Sequence, residues 1–158
     1  MRRSAGILLY RHGSDATADS TAEPEVLIGH MGGPFWARKD EAAWSIPKGE
    51  YSSDEEPGVA ARREFREELG VDPPDGPLLP LGEVRQSGKV VVVWALEGDL
   101  DPGEISPGTF TLEWPPRSGT VREFPELDRV AWMTMSEARP RLVAAQRGFL
   151  DRLSAAVG

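Results

Sequence analysis

The sequence predicts an α/β fold in a single domain over residues 1–158, and three observations lead to this expectation. The length suits one domain and is sufficient to bury a core. Several short apolar runs, separated by turn-forming residues, predict β-strands on both sides of a helical segment that ends at Gly70. An amphipathic pattern near the C-terminus predicts a second helix.

The predicted strands are short runs in which apolar and aromatic residues dominate. They cover residues 4–11, 26–28, 44–46, 81–85, 89–97 and 130–133. The run at 90–96, VVVVWAL, is continuous enough to predict a strand that is buried on both of its faces. Residues 98–128 are rich in Gly, Pro and acidic residues, so we expect a long irregular segment of functional interest with one strand-like stretch at 110–114.

Two helices complete the expected fold. The first is predicted between Asp54, as the N-cap, and Gly70, because glycine tolerates the left-handed backbone that follows many helices. The second is predicted over residues 141–157, where apolar residues recur at helical spacing and indicate a buried stripe. The stripe consists of Val143, Leu150, Leu153 and Val157.

The composition excludes several classes of site. No cysteine is present, so disulfides, thiolate zinc sites and cysteine nucleophiles are excluded. The formal net charge is −8, and an acidic chain lacks the basic stripe that a broad nucleic-acid surface needs. A small phosphorylated partner fits this charge if metal ions or a few local cations offset the repulsion.

The sequence also predicts the cellular location. No apolar segment of leader-peptide length follows Arg2 and Arg3, and the longest apolar run in mid-chain, 90–96, is too short to span a bilayer. We therefore expect a cytoplasmic protein without a membrane partner. The oligomeric state is not predictable from these residues.

The segment 62–70, RREFREELG, concentrates acidic side chains in a chain that is already negative. Glu64, Glu67 and Glu68 are spaced i, i+3, i+4, so a helix places them on one face. Like charges at this spacing cost about 0.2–0.5 kcal/mol per pair on an open helix surface. A divalent cation held by carboxylate oxygens reverses the sign of this interaction, so the cluster is typical of a metal site.

A solvated helix laced with ion pairs would carry the same charges, because charge runs usually lie on solvated faces. Its ion-pair partners would be Arg62, Arg63 and Arg66. The residues around the cluster distinguish the two hypotheses. Between Gly49 and Gly70, seven positions carry the residue that one motif requires. At roughly 7% background usage for each residue, the probability that all seven match by chance is on the order of 10⁻⁸ per starting point, which favours a functional motif.

Residues 49–71 match the pattern G-x5-E-x7-R-E-U-x-E-E-x-G-U at every fixed position, where U is a bulky apolar residue. On this pattern the chain is identified as a member of the Nudix (MutT-like) hydrolase family, and residues 44–49, WSIPKG, resemble the approach to the box in much of that family. The mild departure is Phe65, where a branched aliphatic residue is more usual. The resemblance implies a Nudix fold, an αβα sandwich with a central mixed β-sheet between the box helix and the C-terminal helix.

The resemblance further implies an enzyme that hydrolyses a nucleoside diphosphate linked to another group, with Mg²⁺ or Mn²⁺ as the cofactor. By position in the box, Glu67 and Glu68 are expected to be metal ligands. Glu64 is expected to be a third ligand or the catalytic base that orients the attacking water. The Gly49 carbonyl is a further candidate metal ligand.

Other roles also follow from the resemblance. Glu55 and Arg63 are expected to pair and hold the box loop against the helix. Some Nudix enzymes take their base from a loop outside the box, and here Glu113 and Glu123, in the segment 98–128, are the candidates. The alternative interpretation of both is an ordinary solvated loop acid.

Four residues outside the box are candidates for substrate binding. Lys48 is expected to contact a phosphate as a point charge, with an ordinary surface lysine as the alternative. Arg38 is a further cation that suits a phosphate. Trp36 and Trp114 are candidates to stack on a nucleobase, although a tryptophan is more often part of a core.

The resemblance points to dinucleoside polyphosphates as one substrate class. The segment SAGILLYR, residues 4–11, resembles the first strand of hydrolases that act on diadenosine tetraphosphate, as does P-K-G directly before the box helix. Glu50 departs from this branch, which often has His there. Nucleoside triphosphates and ADP-ribose remain open as substrates, and a Nudix domain that senses nucleotides without hydrolysing them is the rival from another functional class.

Overall fold

In the computed structural model, which describes residues 2–12 and 23–157, seven strands form a central sheet and two form a separate hairpin. The strands are β1 Arg3–Arg11, β2 Glu25–Met31, β3 Trp44–Ser45, β4 Lys48–Glu50, β5 Leu79–Gln86, β6 Lys89–Glu97, β7 Thr109–Glu113, β8 Val121–Pro125 and β9 Leu127–Thr134. The helices are α1 Pro57–Leu69, α2 Met135–Arg141 and α3 Gly148–Val157. None of the helices in this described part is long and apolar enough to cross a membrane.

The central sheet is mixed. Its strand order is β3-β2-β1-β6-β5, with β4 also paired to β1 and β9 also paired to β2. β1 and β6 run parallel, from Arg3 opposite Val90 to Tyr10 opposite Glu97, and the other pairs are antiparallel. The mixed sheet that the resemblance implied is therefore confirmed.

Strand β6 separates two apolar cores, as its continuous apolar run predicted. Val91 and Val93 face the core on the side of α2 and α3, whereas Val92 and Leu96 face the core that contains Phe65 of α1. Side chains alternate between the two faces of a strand, so a strand buried on both sides needs apolar residues at consecutive positions. The sheet between two helical layers confirms the predicted αβα sandwich.

Helix α1 begins two residues later than Asp54, the predicted N-cap. Glu56 is the N-cap, and its carboxylate accepts hydrogen bonds from the backbone N–H groups of Gly58 and Val59. Pro57 occupies the first helical position, where its fixed φ and missing N–H are best tolerated, so the cap is the residue before it. The predicted end is confirmed, because Gly70 has φ 72° and its N–H donates to the Arg66 carbonyl.

The prediction of one helix over residues 141–157 is wrong in its first half. Helix α2 ends at Arg141, a short 3-10 turn covers Ala144–Gln146, and α3 begins at Gly148. Between α2 and the turn the backbone is extended, and the N–H of Val143 donates to the carbonyl of Trp44. Pairing with β3 thus replaces the helix there, while Leu150 and Leu153 are fully buried as predicted.

The segment 98–128 is more regular than predicted. The strand-like stretch at 110–114 lies almost wholly in β7, which pairs with β8 in an antiparallel hairpin whose strands are largely exposed. The two strands place Phe110 opposite Phe124, with ring centroids 6.0 Å apart. The partner strand was not predicted, because VREFP carries two charges and a proline.

A buried glutamine fixes the strand β3 and the turn that follows it. Gln146 is fully buried, and its Oε1 accepts a hydrogen bond from the Ile46 N–H at 2.8 Å. Its Nε2 donates to Ser45 Oγ at 3.0 Å and to Gln86 Oε1 at 2.9 Å. The side chain of the 3-10 turn therefore ties the approach to the box, residues 44–49, to the end of β5.

We expect Gln146→Leu to lower the free energy of unfolding by about 1–3 kcal/mol, because it leaves the buried Ile46 N–H without an acceptor. Urea denaturation measures the change. Gln86→Ala is the matched control, since it removes only one of the three hydrogen bonds and should cost less. Equal stability of Gln146→Leu and the wild type would show that this amide does not fix the turn.

Candidate active site

Helix α1, which packs against β1 and β4, carries three of the box acids and buries them unequally. Glu64 and Glu68 are each 9% exposed, whereas the side chain of Glu67 is 57% exposed. Phe65 and Leu69, on the adjacent stripe, are fully buried against the sheet. The apolar stripe therefore fixes the rotation of α1, and this rotation turns Glu64 and Glu68 inward.

Arg63 bonds three of the box acids at once. Its guanidinium donates two hydrogen bonds to Glu55, both at 2.8 Å, one to Glu64 at 2.8 Å and one to Glu67 at 3.0 Å. The hydrogen bond from Arg63 lowers the pKa of the Glu55 carboxyl, and these acids together raise the pKa of Arg63. The expected Glu55–Arg63 pair thus lies between the box loop and the box helix.

A close approach explains the glycine that opens the box. Gly49 lies on β4, and a Cβ added to it would overlap the carboxylate of Glu64. Any side chain at this position would therefore push Glu64 away from Arg63 and out of its buried place. The pKa of Glu64 is raised by burial, although the hydrogen bond from Arg63 opposes this rise.

Glu68, the box acid that Arg63 does not contact, lies in a cavity of about 260 Å³, which we call the acid cavity. Its lining residues are Met31, Gly32, Trp36, Ser45, Ile46, Lys48, Glu68, Phe110, Glu126 and Leu127. Oε2 of Glu68 is buried and has no hydrogen-bond partner among the described residues. Burial, and next the neighbouring Glu126 carboxylate, raise the pKa of Glu68 to about 8.

Glu126 was not predicted from the sequence, where a glutamate outside the box was an alternative to Glu64 as the base. Glu126 is the residue between β8 and β9, and its backbone is held by hydrogen bonds from its N–H to the Gly108 carbonyl and from the Gly32 N–H to its own carbonyl. The two predicted candidates, Glu113 and Glu123, lie on the exposed hairpin and do not line the acid cavity. Little in the sequence signals Glu126, because the predicted strand begins at residue 130 and the charged residues Asp128 and Arg129 separate it from Glu126.

Lys48 supplies the positive charge of the acid cavity. Burial, and next the nearby cation Lys89, lower the pKa of Lys48, while the carboxylates of Glu68 and Glu126 oppose this shift. A lysine between two carboxylates and beside a second cation partly balances the charge of the acids. It also leaves an ammonium group available to an anionic ligand.

The structure brings one of the expected aromatic residues to the acids and keeps the other away. Trp36 lines the acid cavity. Trp114 follows β7 and closes the hairpin through the hydrogen bond from its N–H to the Thr120 carbonyl, outside the acid cavity. Arg38 is exposed and does not line the acid cavity, whereas Phe110 does and was not predicted to do so.

His30 joins the two segments that carry Trp36 and Glu126, which are parts of the cavity walls. This residue of β2 is fully buried, and its Nδ1 lies 2.8 Å from Asp128 Oδ1 while its Nε2 contacts the carbonyl of Lys39. Lys39 belongs to the loop that carries Trp36, and Asp128 follows Glu126 by two residues. The imidazole therefore fixes the distance between these two walls.

The residues of the site fit a hard divalent cation. Carboxylate and carbonyl oxygens are the ligands that Mg²⁺ takes, and the buried, unpartnered Oε2 of Glu68 is such an oxygen. Within the described residues, no three acidic or histidine side chains are close enough together to hold a metal by themselves. This agrees with the way proteins bind Mg²⁺, through one or two carboxylates together with substrate phosphates and water.

Comparisons with known proteins extend these observations to the whole chain. A family model described as the NUDIX domain matches residues 2–153. An RNA pyrophosphohydrolase from Marinomonas sp. (strain MWYL1) is 43% identical over 49 residues, 30% of this chain and 30% of that relative, so the match spans under a third of its length.

Among solved structures, a C. elegans Ap4A hydrolase binary complex is similar with a TM-score of 0.65 and 19% identity, covering 99% of this chain and 98% of that one. The NUDIX domain of Shewanella oneidensis NrtR, complexed with ADP ribose, is similar with a TM-score of 0.64 and 13% identity. This match covers 99% of this chain and 88% of that one. At such identities the likeness shows a common fold. Because the family model spans nearly all of the sequence, and the box that defines it folds as a loop and helix around Arg63, the chain belongs to the NUDIX domain family.

Proposed function

We propose that the protein is a pyrophosphohydrolase that depends on Mg²⁺ or Mn²⁺ and cleaves a pyrophosphate bond in a nucleoside diphosphate linked to another group. The observation that carries the proposal is the buried Oε2 of Glu68, to which no described residue donates a hydrogen bond, in a cavity that also holds Lys48 and the neighbouring acid Glu126. An unpaired buried acid destabilises a protein, so its place in a complete box is best explained by a ligand.

The acids and the bound cation have separate tasks. We assign Glu68, Glu67, Glu64 and the Gly49 carbonyl to metal binding, where Glu64 and Glu67 would reach the cation only by giving up the hydrogen bonds that Arg63 donates to them here. A divalent cation supplies charge neutralisation of the phosphates and a lower pKa of bound water. Lys48 contacts a phosphate oxygen, which lets an acidic protein bind an acidic substrate.

The proton of the attacking water is taken by Glu126 in this proposal, and not by Glu64. Glu64 Oε1 already accepts a hydrogen bond from Arg63 at 2.8 Å, so this oxygen is engaged as an acceptor, although burial raises the pKa of the Glu64 carboxyl. Glu126 is exposed at the acid cavity beside Glu68, within the same lining. A general base has to reach the proton that it abstracts, and Glu126 has this access.

The substrate class that we propose is the dinucleoside polyphosphates, on the likeness of residues 4–11 and the P-K-G turn to hydrolases of that class. Trp36 is assigned to stacking on a nucleobase, since it lines the cavity that holds the acids. Nucleoside triphosphates and ADP-ribose are the alternative substrates. A cytoplasmic location fits these small nucleotide partners.

A screen of the purified protein against these nucleotides, with Mg²⁺ and with Mn²⁺, tests the proposal. We expect metal-dependent release of nucleoside phosphates and the highest kcat/KM for a dinucleoside polyphosphate. Binding without turnover across the panel would instead identify a nucleotide sensor. Turnover of ADP-ribose alone would support the proposed reaction but contradict dinucleoside polyphosphates as the substrate class.

We expect Glu68→Gln to lower kcat at least about a hundredfold, since the loss of a metal contact removes several kcal/mol of transition-state stabilisation. Above about pH 8, where Glu68 is ionised, the same change should raise the melting temperature of the metal-free protein, because a neutral amide replaces a buried carboxylate beside Glu126. Steady-state kinetics and thermal unfolding in EDTA measure both effects. Unchanged turnover would contradict the assignment of Glu68 as a metal ligand.

We expect Glu126→Gln to lower kcat by about 10²–10⁴-fold with a small change in KM, the range typical of a general base. Glu113→Gln and Glu123→Gln are the matched controls, because both residues lie on the exposed hairpin next to the same wall. Their kcat should equal that of the wild type. A larger loss of kcat in either control than in Glu126→Gln would indicate that the general base is that residue of the hairpin.

A further inference from the structure

A second cavity of about 290 Å³ lies beside the acid cavity, and we call it the side cavity. Its lining residues are Met31, Trp36, Arg85, Gln86, Ser87, Val143, Ala144 and Ala145. Met31 and Trp36 line both cavities, so the two spaces meet at these side chains. A ligand that occupies the acid cavity can therefore continue past Trp36 into the side cavity.

The sizes of the two cavities indicate that a substrate uses both. Sites for small molecules typically have volumes of about 300–1,000 Å³. Neither cavity reaches this range alone, at about 260 and 290 Å³, but together they lie well within it. The space therefore suits a molecule that extends beyond the group bound at the acids.

The lining of the side cavity differs in chemistry from that of the acid cavity. The acid cavity holds the charged groups Lys48, Glu68 and Glu126, whereas no acidic side chain is among the residues that line the side cavity. Apolar side chains and Trp36 form most of the side cavity, Gln86 and Ser87 add hydrogen-bonding groups, and Arg85 adds one cation. A flat heteroaromatic ring matches such walls, because it stacks on an aromatic side chain and forms a few polar contacts at its edge.

The floor of the side cavity is held in place by hydrogen bonds. Gln146 binds Gln86 on one side and Ser45 and Ile46 on the other, so it connects a lining residue of the side cavity to two of the acid cavity. The β5–β6 turn is tight, with φ 50° at Ser87. A preformed cavity costs little to order when a ligand binds.

From the shared wall, the combined size and the lining, we propose that the side cavity is a second subsite, which receives the base of the far nucleoside in a two-ended substrate. The phosphate chain then lies at Lys48 and the box acids, and it crosses Trp36 to reach the second nucleoside. The inference rests on the proposed function, because it takes the acid cavity as the place where phosphates bind. It adds residues outside the box as the source of preference for two-ended substrates.

The test compares two ligands that differ only in the second nucleoside. The probes are the methylene-bridged, non-hydrolysable analogues of diadenosine tetraphosphate and of adenosine tetraphosphate, and calorimetry in Mg²⁺ gives their dissociation constants. We expect the wild type to bind the two-ended analogue about ten- to a hundredfold more tightly, as stacking of one base provides. Because the ligands are not hydrolysed, this result is independent of the screen for turnover.

Ala145→Trp fills the side cavity and should abolish the difference while the affinity for the one-ended analogue stays unchanged. Ala144→Trp, at an exposed position of the same rim, is the second filling variant if Ala145→Trp does not fold. Ala155→Trp, on the exposed side of α3, is the control and should retain the preference. Equal affinities in the wild type, or an equal loss for both ligands in the filling variants, would overturn the second subsite.

Discussion

The hydrogen bonds of Arg63 are the interaction on which the site depends. One guanidinium binds Glu55 of the box loop and both Glu64 and Glu67 of the box helix, so the loop and the helix are held as one unit. Without this cation, three carboxylates would repel one another across a narrow gap. The acids of α1 also differ in their contacts. Arg63 donates hydrogen bonds to Glu64 and Glu67 but none to Glu68.

The other walls of the site come from parts of the chain that are distant in sequence. Trp36 and Glu126 belong to segments on either side of β2, and the imidazole of His30 joins those segments through Lys39 and Asp128. The hydrogen bonds within the sheet and these side-chain contacts position groups that the box itself does not contain. The reaction class therefore follows from the box, and we propose that these walls determine the substrate preference.

Sequence patterns correctly predicted those elements whose conformation depends on residues that are neighbours in the sequence. The continuous apolar run of β6 and the glycine that ends α1 belong to this kind, and both lie where predicted. Contacts between distant residues decided the rest. Val143 lies outside the predicted helix, because its N–H donates to the carbonyl of Trp44. Glu126 lies in the site because the pairing of β9 with β2 brings it there.

We infer that the box acids, Glu68 among them, form the site of a divalent cation. Calorimetric titration of Mn²⁺ into the metal-free protein tests this claim most directly. We expect saturable binding that becomes tighter when a non-hydrolysable nucleotide is present, because phosphate oxygens complete the set of ligands. Absence of Mn²⁺ binding both with and without the nucleotide would contradict it and would leave the acids of α1 as an ion-paired helix surface.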